Sequence, residues 1–304
     1  MKDSGTSVAP RPQVSLPVLR ESIEQIHHPP LSKVPIRLGR LRLGYRLSRY
    51  FLWSLTKGHV RGMGDALAAL VHLAAKTVLD LGGFGQKVEC HICGWHGRGF
   101  YPDVGSGYFN LDTSCPRCHC IARYRSLAVI LDRETGFFSP DKAVIEVAPV
   151  RSFQAYCLWR KQSRNYVSFD LENFGMEKGD MTAMRYPSQS CDYFLCFHVL
   201  EHIPDEAAAI REIFRVLRPG GQAILQVPVD YSLDETVEYG KPNPFETDHV
   251  RRYSASGFSK SLTTQGFHVR IVTIADGVSD SNLQRYGFDA QPVYIATKPQ
   301  SESV

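Results

Sequence analysis

The sequence predicts an α/β protein with a doubly wound parallel sheet, preceded by helices and a small cysteine-rich module. Residues 191–228 read as an apolar strand, a polar loop, an amphipathic helix, a Pro-Gly-Gly stop and a second apolar strand. Two earlier apolar runs, 143–147 and 166–170, each carry an acidic residue at or near the end. Buried strands joined through a helix pair in parallel and are covered on both faces. Ligands of such sheets bind beyond the carboxyl ends of the strands.

The helix within residues 191–228 has clear start and stop signals. Asp205 is suited to cap its N-terminus, and Pro219-Gly220-Gly221 would end it. Four apolar residues would share its buried face: Ile210, Ile213, Phe214 and Leu217. The main domain, 140–300, would also contain a helix at 152–160, a strand end or loop at 179–181, a polar loop at 230–249, a helix at 253–265, and antiparallel strands at 268–274 and 292–297 at the sheet edge.

The N-terminal part of the chain is strongly basic. Residues 1–33 are rich in Pro and Ser and read as a flexible arm, and residues 34–86 as a helical region. No acidic residue occurs between Glu24 and Asp65, whereas eight Lys or Arg residues do, so this segment carries +8 and the rest of the chain −4. A basic amphipathic helix can lie on a membrane or meet nucleic acid. The simpler interpretation is a helix docked on the enzyme body with its charged face in solvent.

The expected location is the cytoplasm. No apolar run approaches the roughly 18 residues of a membrane-spanning helix, and the first residues carry no apolar signal core. Eight cysteines in such a chain indicate metal binding or reduced thiols rather than disulfides.

Residues 87–135 read as a zinc-binding module. Cys90 and Cys93 form one C-x-x-C pair, Cys115 and Cys118 form a second, and each pair is accompanied by the Gly or Pro of a tight turn. Two such pairs can deliver four thiolates to one tetrahedral zinc ion, which would be structural because no coordination position stays open. Alternative ligands close by in the sequence are His91, His96, His119 and Cys120.

An acid at the end of the second predicted strand suggests a nucleoside-type cofactor. Asp170 follows Glu146 by 24 residues, close to the offset of roughly 20 at which doubly wound folds hold a ribose diol. No G-x-G-x-x-G sequence occupies the first turn. NAD and FAD are therefore poor candidates, since a pyrophosphate would have no glycine-rich cradle.

At these residues the chain resembles the class I S-adenosylmethionine (SAM)-dependent methyltransferases. The resemblance rests on VIEVAP, SFDLEN, GDM, CDYFLCFHVLEHIPD and RVLRPGGQAILQVP, and covers about residues 140–297. It is closest to a subgroup with a four-cysteine zinc module ahead of the catalytic domain. The resemblance implies a Rossmann-like seven-stranded sheet and SAM as the cofactor. The chain departs from the family at Ala148-Pro149-Val150, where the family usually has two or three glycines.

The resemblance also implies positions for the cofactor. Glu146 and Ala148 would lie beside its methionine part, and Asp170 would bind the ribose hydroxyls. Asp180 and Met181 would flank the adenine. Phe197 and His198 would line the face between the cofactor and the acceptor.

Methyl transfer to oxygen needs alignment and a base. His198 and His249 are the candidate bases, since imidazole titrates near neutral pH. An equal alternative for His249 is a polar residue with no role in catalysis. Arg251 and Arg252 would bind an anionic group on the substrate.

Residues 198–202 also match H-x-x-E-H, a zinc-hydrolase motif. That motif needs a continuous helix, but here it follows a strand directly and Pro204 comes soon after. The remaining metal alternative is a divalent ion bound by His198, Glu201 and His202. The simpler interpretation is that Glu201 and His202 stabilise the loop by hydrogen bonds.

The sequence as a whole predicts a zinc-containing methyltransferase that acts on a small molecule at an oxygen atom. An RNA methyltransferase that grips RNA with the module and the basic helix is one alternative, and a non-catalytic binding protein is another. The N/D-P-P-Y sequence of amine methylation is absent after residues 193–197, and the module has no clear aromatic platform for stacking bases.

Overall fold

The computed structural model describes residues 36–105, 108–161, 165–172, 175–246 and 248–300. The predicted arm at 1–33 lies outside these residues. The chain first forms two long helices, α1 (Ile36–Thr56) and α2 (Val60–Gly82). Gly83, in the left-handed conformation, caps α2, because glycine has no Cβ to oppose a positive φ. Gly82-Gly83 therefore ends the helix.

The cysteine-rich module follows as two small hairpins. The first is formed by β1 (Val88–Cys90) and β2 (Trp95–Gly97), and the second by β3 (Tyr101–Gly105) and β4 (Tyr108–Ser114). Helix α3 (Ala122–Glu134) then leads to the main sheet. The second hairpin lies between the two C-x-x-C pairs and separates them along the chain without separating them in space.

The main domain is a seven-stranded, doubly wound sheet, as predicted. Its strands lie in the order β12-β13-β9-β8-β5-β6-β7. Their bounds are β5 (Val144–Val147), β6 (Tyr166–Asp170), β7 (Glu177–Lys178), β8 (Cys191–Phe197), β9 (Leu217–Gln226), β12 (His268–Val272) and β13 (Val293–Thr297). Strand β13 runs antiparallel between β9 and β12, so the predicted antiparallel pair is confirmed, with β12 at the edge.

Helices cover both faces of the sheet. On one face α3 and α4 (Arg151–Lys161) pack with α7 (Asp280–Tyr286), and on the other α5 (Glu206–Val216) packs with α6 (Ala255–Thr264). Successive strand residues alternate between the two cores. Val144 belongs to the first and Ile145 to the second, as the pleat requires. The module's Trp95 and Phe100 belong to the first core too, so module and sheet share one hydrophobic interior.

Three local expectations were wrong or incomplete. Helix α5 ends at Val216, and Pro219-Gly220-Gly221 lies inside β9, because Leu217 already pairs with Cys191 in the sheet. The predicted loop at 230–249 contains a β-hairpin, β10 (Val237–Asn243) with β11 (His249–Arg252). Helix α7 was not predicted, although Gly287 in the left-handed conformation gives it an ordinary stop signal.

Helix α2 is, among the described residues, the one helix long and apolar enough to cross a membrane by length and composition. The expectation of no candidate span was therefore incomplete. Core helices of globular proteins pass the same test, and only 22% of the apolar window of α2 is buried in the protein.

Candidate functional site

The carboxyl edge of the sheet brings most of the predicted site residues together. Ala148 follows β5, Asp170 ends β6, Asp180 follows β7 and His198 follows β8. Because these four strands are parallel neighbours, their ends meet at one edge. Ala148 and His198 both have positive φ, 48° and 54°, a conformation that non-glycine residues adopt at a cost of roughly 1–3 kcal/mol. Such strain is concentrated at functional sites.

The turn after β5 has a glycine-like conformation although Ala148 stands where the methyltransferases that the chain resembles usually have glycine. Ala148 adopts the left-handed conformation that a glycine would take at this position. Its backbone N–H donates to the Phe169 carbonyl at 2.9 Å. The turn after β5 is therefore held in a glycine-like conformation by the neighbouring strand.

Glu146 is a buried carboxyl group just before this turn. It is 1% exposed, and the Tyr166 hydroxyl donates a hydrogen bond to it. Burial raises the pKa of Glu146 to about 8, since a carboxylate loses its hydration there. The carboxyl group is thus protonated at neutral pH unless a cation binds beside it.

Two acids of the edge keep part of their hydrogen-bonding capacity. Asp170 is half-buried and accepts the Glu172 backbone N–H at 2.8 Å through Oδ1. Asp180 is exposed and accepts the backbone N–H and the hydroxyl of Thr182. Within the described residues, no hydrogen bond uses Oδ2 of either acid. Asp170 could accept from both hydroxyls of a ribose diol, through Oδ2 and the second lone pair of Oδ1.

Met181 and Phe197 are core residues at this edge. Met181 is 3% exposed and lies 3.9 Å from Cys196 Sγ. The Phe197 ring packs edge-on against Tyr124 of α3, with centroids 6.0 Å apart. Their predicted contacts with a cofactor stay predictions.

Three histidines and one acid form a cluster beyond the end of β8. His198, Glu201 and His202 follow this strand, and His249 comes from β11. Glu201 is fully buried, and His198 Nδ1 lies 3.3 Å from Glu201 Oε1. The His202 and His249 rings meet edge-on with centroids 4.8 Å apart. Burial lowers the pKa of both His198 and His249, because it disfavours imidazolium. Both candidate bases are therefore neutral at physiological pH and able to accept a proton.

Arg251 is buried against the loop that carries this cluster. It is 3% exposed, and its guanidinium donates to the carbonyls of Leu200, Ile203 and Pro204 and to Glu238. Four of its five N–H groups are thus engaged within the protein. The predicted clamping of substrate by Arg251 is not what this geometry supports, since the residue holds the loop after β8.

Arg252 faces a cleft of 660 Å³ beside the cluster. It is exposed and ion-paired with Glu246 and, at 3.6 Å, with Asp230. The cleft is walled by His249 on one side and by residues of α2 and β4 on the other: Arg61, Asp65, Tyr108 and Phe109. Sequence reasoning missed these walls, because nothing local in α2 or β4 indicates that they meet the sheet edge.

The four cysteines of the module converge as predicted. Their sulfurs lie within 4.8 Å of one another and are buried. The Cys90–Cys118 and Cys93–Cys115 sulfur distances are 3.8 Å and 3.6 Å. Four thiolates about 2.3 Å from a tetrahedral zinc ion lie about 3.8 Å apart, so the spacing fits zinc.

The two halves of the cysteine site have the same backbone geometry. Gly94 and His119 directly follow the second cysteine of each pair, and both have positive φ. The Gly94 and His119 backbone N–H groups donate to the first cysteine's carbonyl, at 2.8 Å and 2.9 Å. The predicted alternative ligands, Cys120 among them, lie outside the group of four. These features define a preformed site of four cysteine sulfurs.

One of the four thiols of the module favours the thiolate form, whereas hydrogen bonds among the sulfurs and burial raise the pKa of Cys93, Cys115 and Cys118. Burial raises the pKa of the Cys90 thiol, but hydrogen bonds from the neighbouring cysteines lower it well below its usual range, and the charge of Arg125 acts in the same direction. A thiolate, rather than a thiol, is the form that binds a metal.

Comparisons with known proteins identify the central segment. Residues 141–225 match the family model described as "Methyltransferase domain". A probable S-adenosylmethionine-dependent methyltransferase of Mycolicibacterium smegmatis is 34% identical over 91 residues, which are 30% of this chain and 34% of that protein. A demethylmenaquinone methyltransferase of Listeria welshimeri is 38% identical over 53 residues, 17% of this chain and 22% of that protein.

A solved structure, a SAM-dependent methyltransferase from Archaeoglobus fulgidus, is similar to 57% of this chain and 93% of its own, with 15% identity and a TM-score of 0.41. The chain spans about a third or less of the length of the two curated relatives named. Residues 141–225 are thus similar in sequence to a methyltransferase domain.

Proposed function

We propose that the chain is a SAM-dependent methyltransferase that methylates a small molecule at an oxygen atom. The observation that carries the proposal is the edge formed by Ala148, Asp170 and His198 within the matched methyltransferase domain. Asp170 would accept both ribose hydroxyls, and Asp180 and Met181 would flank the adenine. The family's cofactor supplies an activated methyl group, and these residues bind and orient it.

The acceptor would enter the cleft lined by His249 and Arg252. Its hydroxyl proton would pass to a neutral imidazole, for which His198 and His249 have the required protonation state. Arg252 is exposed at the wall of the cleft and would bind an anionic group on the acceptor in exchange for its ion pairs with Glu246 and Asp230. Two of the basic residues of α1, Arg40 and Arg46, are paired with Asp80 and Asp103, which leaves fewer charges on this helix for the RNA alternative.

The cysteine site would hold structural zinc through Cys90, Cys93, Cys115 and Cys118. Its sulfur spacing and its two matching turns support this assignment. A closed four-thiolate site has no position for a substrate, so the zinc would stabilise the module and take no part in methyl transfer.

Calorimetric titration with SAM tests the cofactor assignment. We expect the wild-type protein to bind SAM and Asp170→Ala to bind it about tenfold or more weakly, because the ribose hydroxyls lose a charged acceptor. Asp141→Ala removes an exposed aspartate away from the edge and should leave the affinity unchanged. A wild-type protein that does not bind SAM, or equal weakening in both variants, would contradict the proposal.

A further inference from the structure

We propose that Glu201, His202 and His249 form a binding site for a divalent first-row transition-metal ion at the wall of the cleft. Their ligand atoms, one carboxylate oxygen and one ring nitrogen from each histidine, lie within 4.8 Å of one another. Two imidazoles and a carboxylate suit zinc, manganese, cobalt or iron. The set differs from the sequence alternative, since His249 of β11 replaces His198 in it.

The second observation is the state of Glu201. Its side chain is 0% exposed, and neither of its carboxylate oxygens has a hydrogen-bond partner among the described residues. His198 Nδ1 is 3.3 Å from Oε1, but without the geometry of a hydrogen bond. A buried carboxylate left in this state is costly, and a bound cation would compensate it.

The surroundings allow a cation to enter. His202 is exposed and His249 half-buried, so small rotations of their rings can bring the nitrogens to about 2.1 Å from an ion. His249 lines the cleft, and the protein supplies three ligands, so further positions would be open towards it. If the proposed function holds, His249 would bind the ion and leave His198 as the base, and an acceptor hydroxyl at an open position would lose its proton more easily.

Metal titration of the zinc-replete protein tests this site without SAM or acceptor. The cysteine site is first filled and the protein desalted, and CoCl₂ is then titrated calorimetrically. We expect about one further equivalent to bind the wild type, and Glu201→Gln and His249→Gln each to weaken binding by about 10- to 100-fold. His268→Gln changes an exposed histidine of β12 and should bind like the wild type.

Thermal unfolding of the metal-free proteins guards against a misfolded variant. We expect Glu201→Gln to fold and to be at least as stable as the wild type, since it replaces a buried carboxyl group without hydrogen bonds by a neutral amide of the same size. Cobalt should raise the melting temperature of the wild type and not that of Glu201→Gln. Absence of a further equivalent in the wild type, or undiminished binding by Glu201→Gln, would overturn the proposal. Neither result depends on SAM binding.

A different observation concerns the outer surface of α2. We infer that this surface and the neighbouring face of α1 dock on an anionic lipid bilayer. Every exposed residue along one side of α2 is apolar or small, at helical spacing: Val60, Gly64, Leu67, Ala68, Val71, Ala74, Ala75, Val78 and Leu81. The opposite side packs on α1 and on β3. Exposed apolar stripes of this length are rare on soluble proteins and indicate an interaction surface.

Charge and aromatic residues favour a bilayer as the occupant. Arg42, Arg49, Lys57 and Arg61 are exposed on α1, in the turn after it and at the start of α2. Within the part of the chain that the structure describes, none forms an ion pair with an acidic residue. Tyr45 and Trp53 are exposed on α1, and such side chains favour the membrane interface. Basic and apolar groups together suit anionic headgroups above acyl chains.

Vesicle co-sedimentation tests this surface. The full chain should bind vesicles of equal parts phosphatidylglycerol and phosphatidylcholine more strongly than pure phosphatidylcholine vesicles. Leu67→Glu with Val71→Glu should weaken binding by about tenfold or more, whereas Ile271→Glu, at an exposed position of β12, should not. The inference is wrong if the wild type binds neither vesicle. It is equally wrong if light scattering shows a dimer that the double variant dissociates, since a second copy would then cover the stripe.

Discussion

Substitution of Cys115 by serine is expected to abolish zinc retention and to cause a large loss of stability. Metal-site formation in small zinc domains contributes on the order of 10 kcal/mol. Part of the module's core would survive without the ion, so we expect a loss of about 5 kcal/mol or more. For a chain of this size that corresponds to about 10 °C or more in melting temperature. Metal analysis and thermal unfolding under reducing conditions measure both effects.

Cys120→Ser is the matched control for this prediction. Cys120 is buried five residues from Cys115 and was an alternative ligand by sequence. Its sulfur lies 3.7 Å from the Ile121 carbonyl and outside the cluster of four. The control should keep its zinc and most of its stability. Zinc loss in Cys120→Ser, or a metal content near zero in the reduced wild type, would refute the assignment.

Arg125→Met is expected to destabilise the protein by about 3–5 kcal/mol. The Arg125 side chain is fully buried, and its guanidinium donates to the carbonyls of Thr113, Cys120, Tyr286 and Gly287 at 2.7–2.9 Å. It also lies over the Phe100 ring, 3.7 Å from the centroid. These contacts join the module, α3 and the end of α7, so methionine would leave several buried carbonyls without donors.

Urea unfolding of two further variants separates charge from geometry. Arg125→Lys keeps the charge but not the planar set of donors, and should recover only a minor part of the loss. Arg123→Met, two residues away, removes a half-buried arginine with no hydrogen bond among the described residues. Its effect should stay within about 0.5 kcal/mol. Full stability in Arg125→Lys would show that the charge alone matters and would contradict this account.

The buried arginine and the cysteine site also support each other electrostatically. Four thiolates around a divalent zinc ion carry a net charge of −2, and Arg125 favours the thiolate at Cys90. Zinc affinity should therefore fall in Arg125→Met as well. Module and sheet would then be coupled in stability, as their common hydrophobic core implies.

The sequence alone determined the elements that local patterns encode. Short apolar runs marked the strands of the sheet and helical spacing marked its helices. Asp205 caps α5 as predicted, accepting the Ala208 backbone N–H at 2.9 Å. Each C-x-x-C pair, with its neighbouring Gly or Pro, predicted a tight turn. The position of Asp170 at a strand end followed from strand length and parallel topology.

Tertiary structure alone decided which distant residues meet. His249 reaches Glu201 and His202 because the 230–249 segment folds into a hairpin, and Arg251 is buried under the loop after β8 because β11 passes there. The α2 and β4 walls of the cleft have the same origin. Periodicity and capping report the faces of a single element, whereas these contacts depend on how separate elements pack. Such packing is fixed by the shared cores, and no local pattern records it.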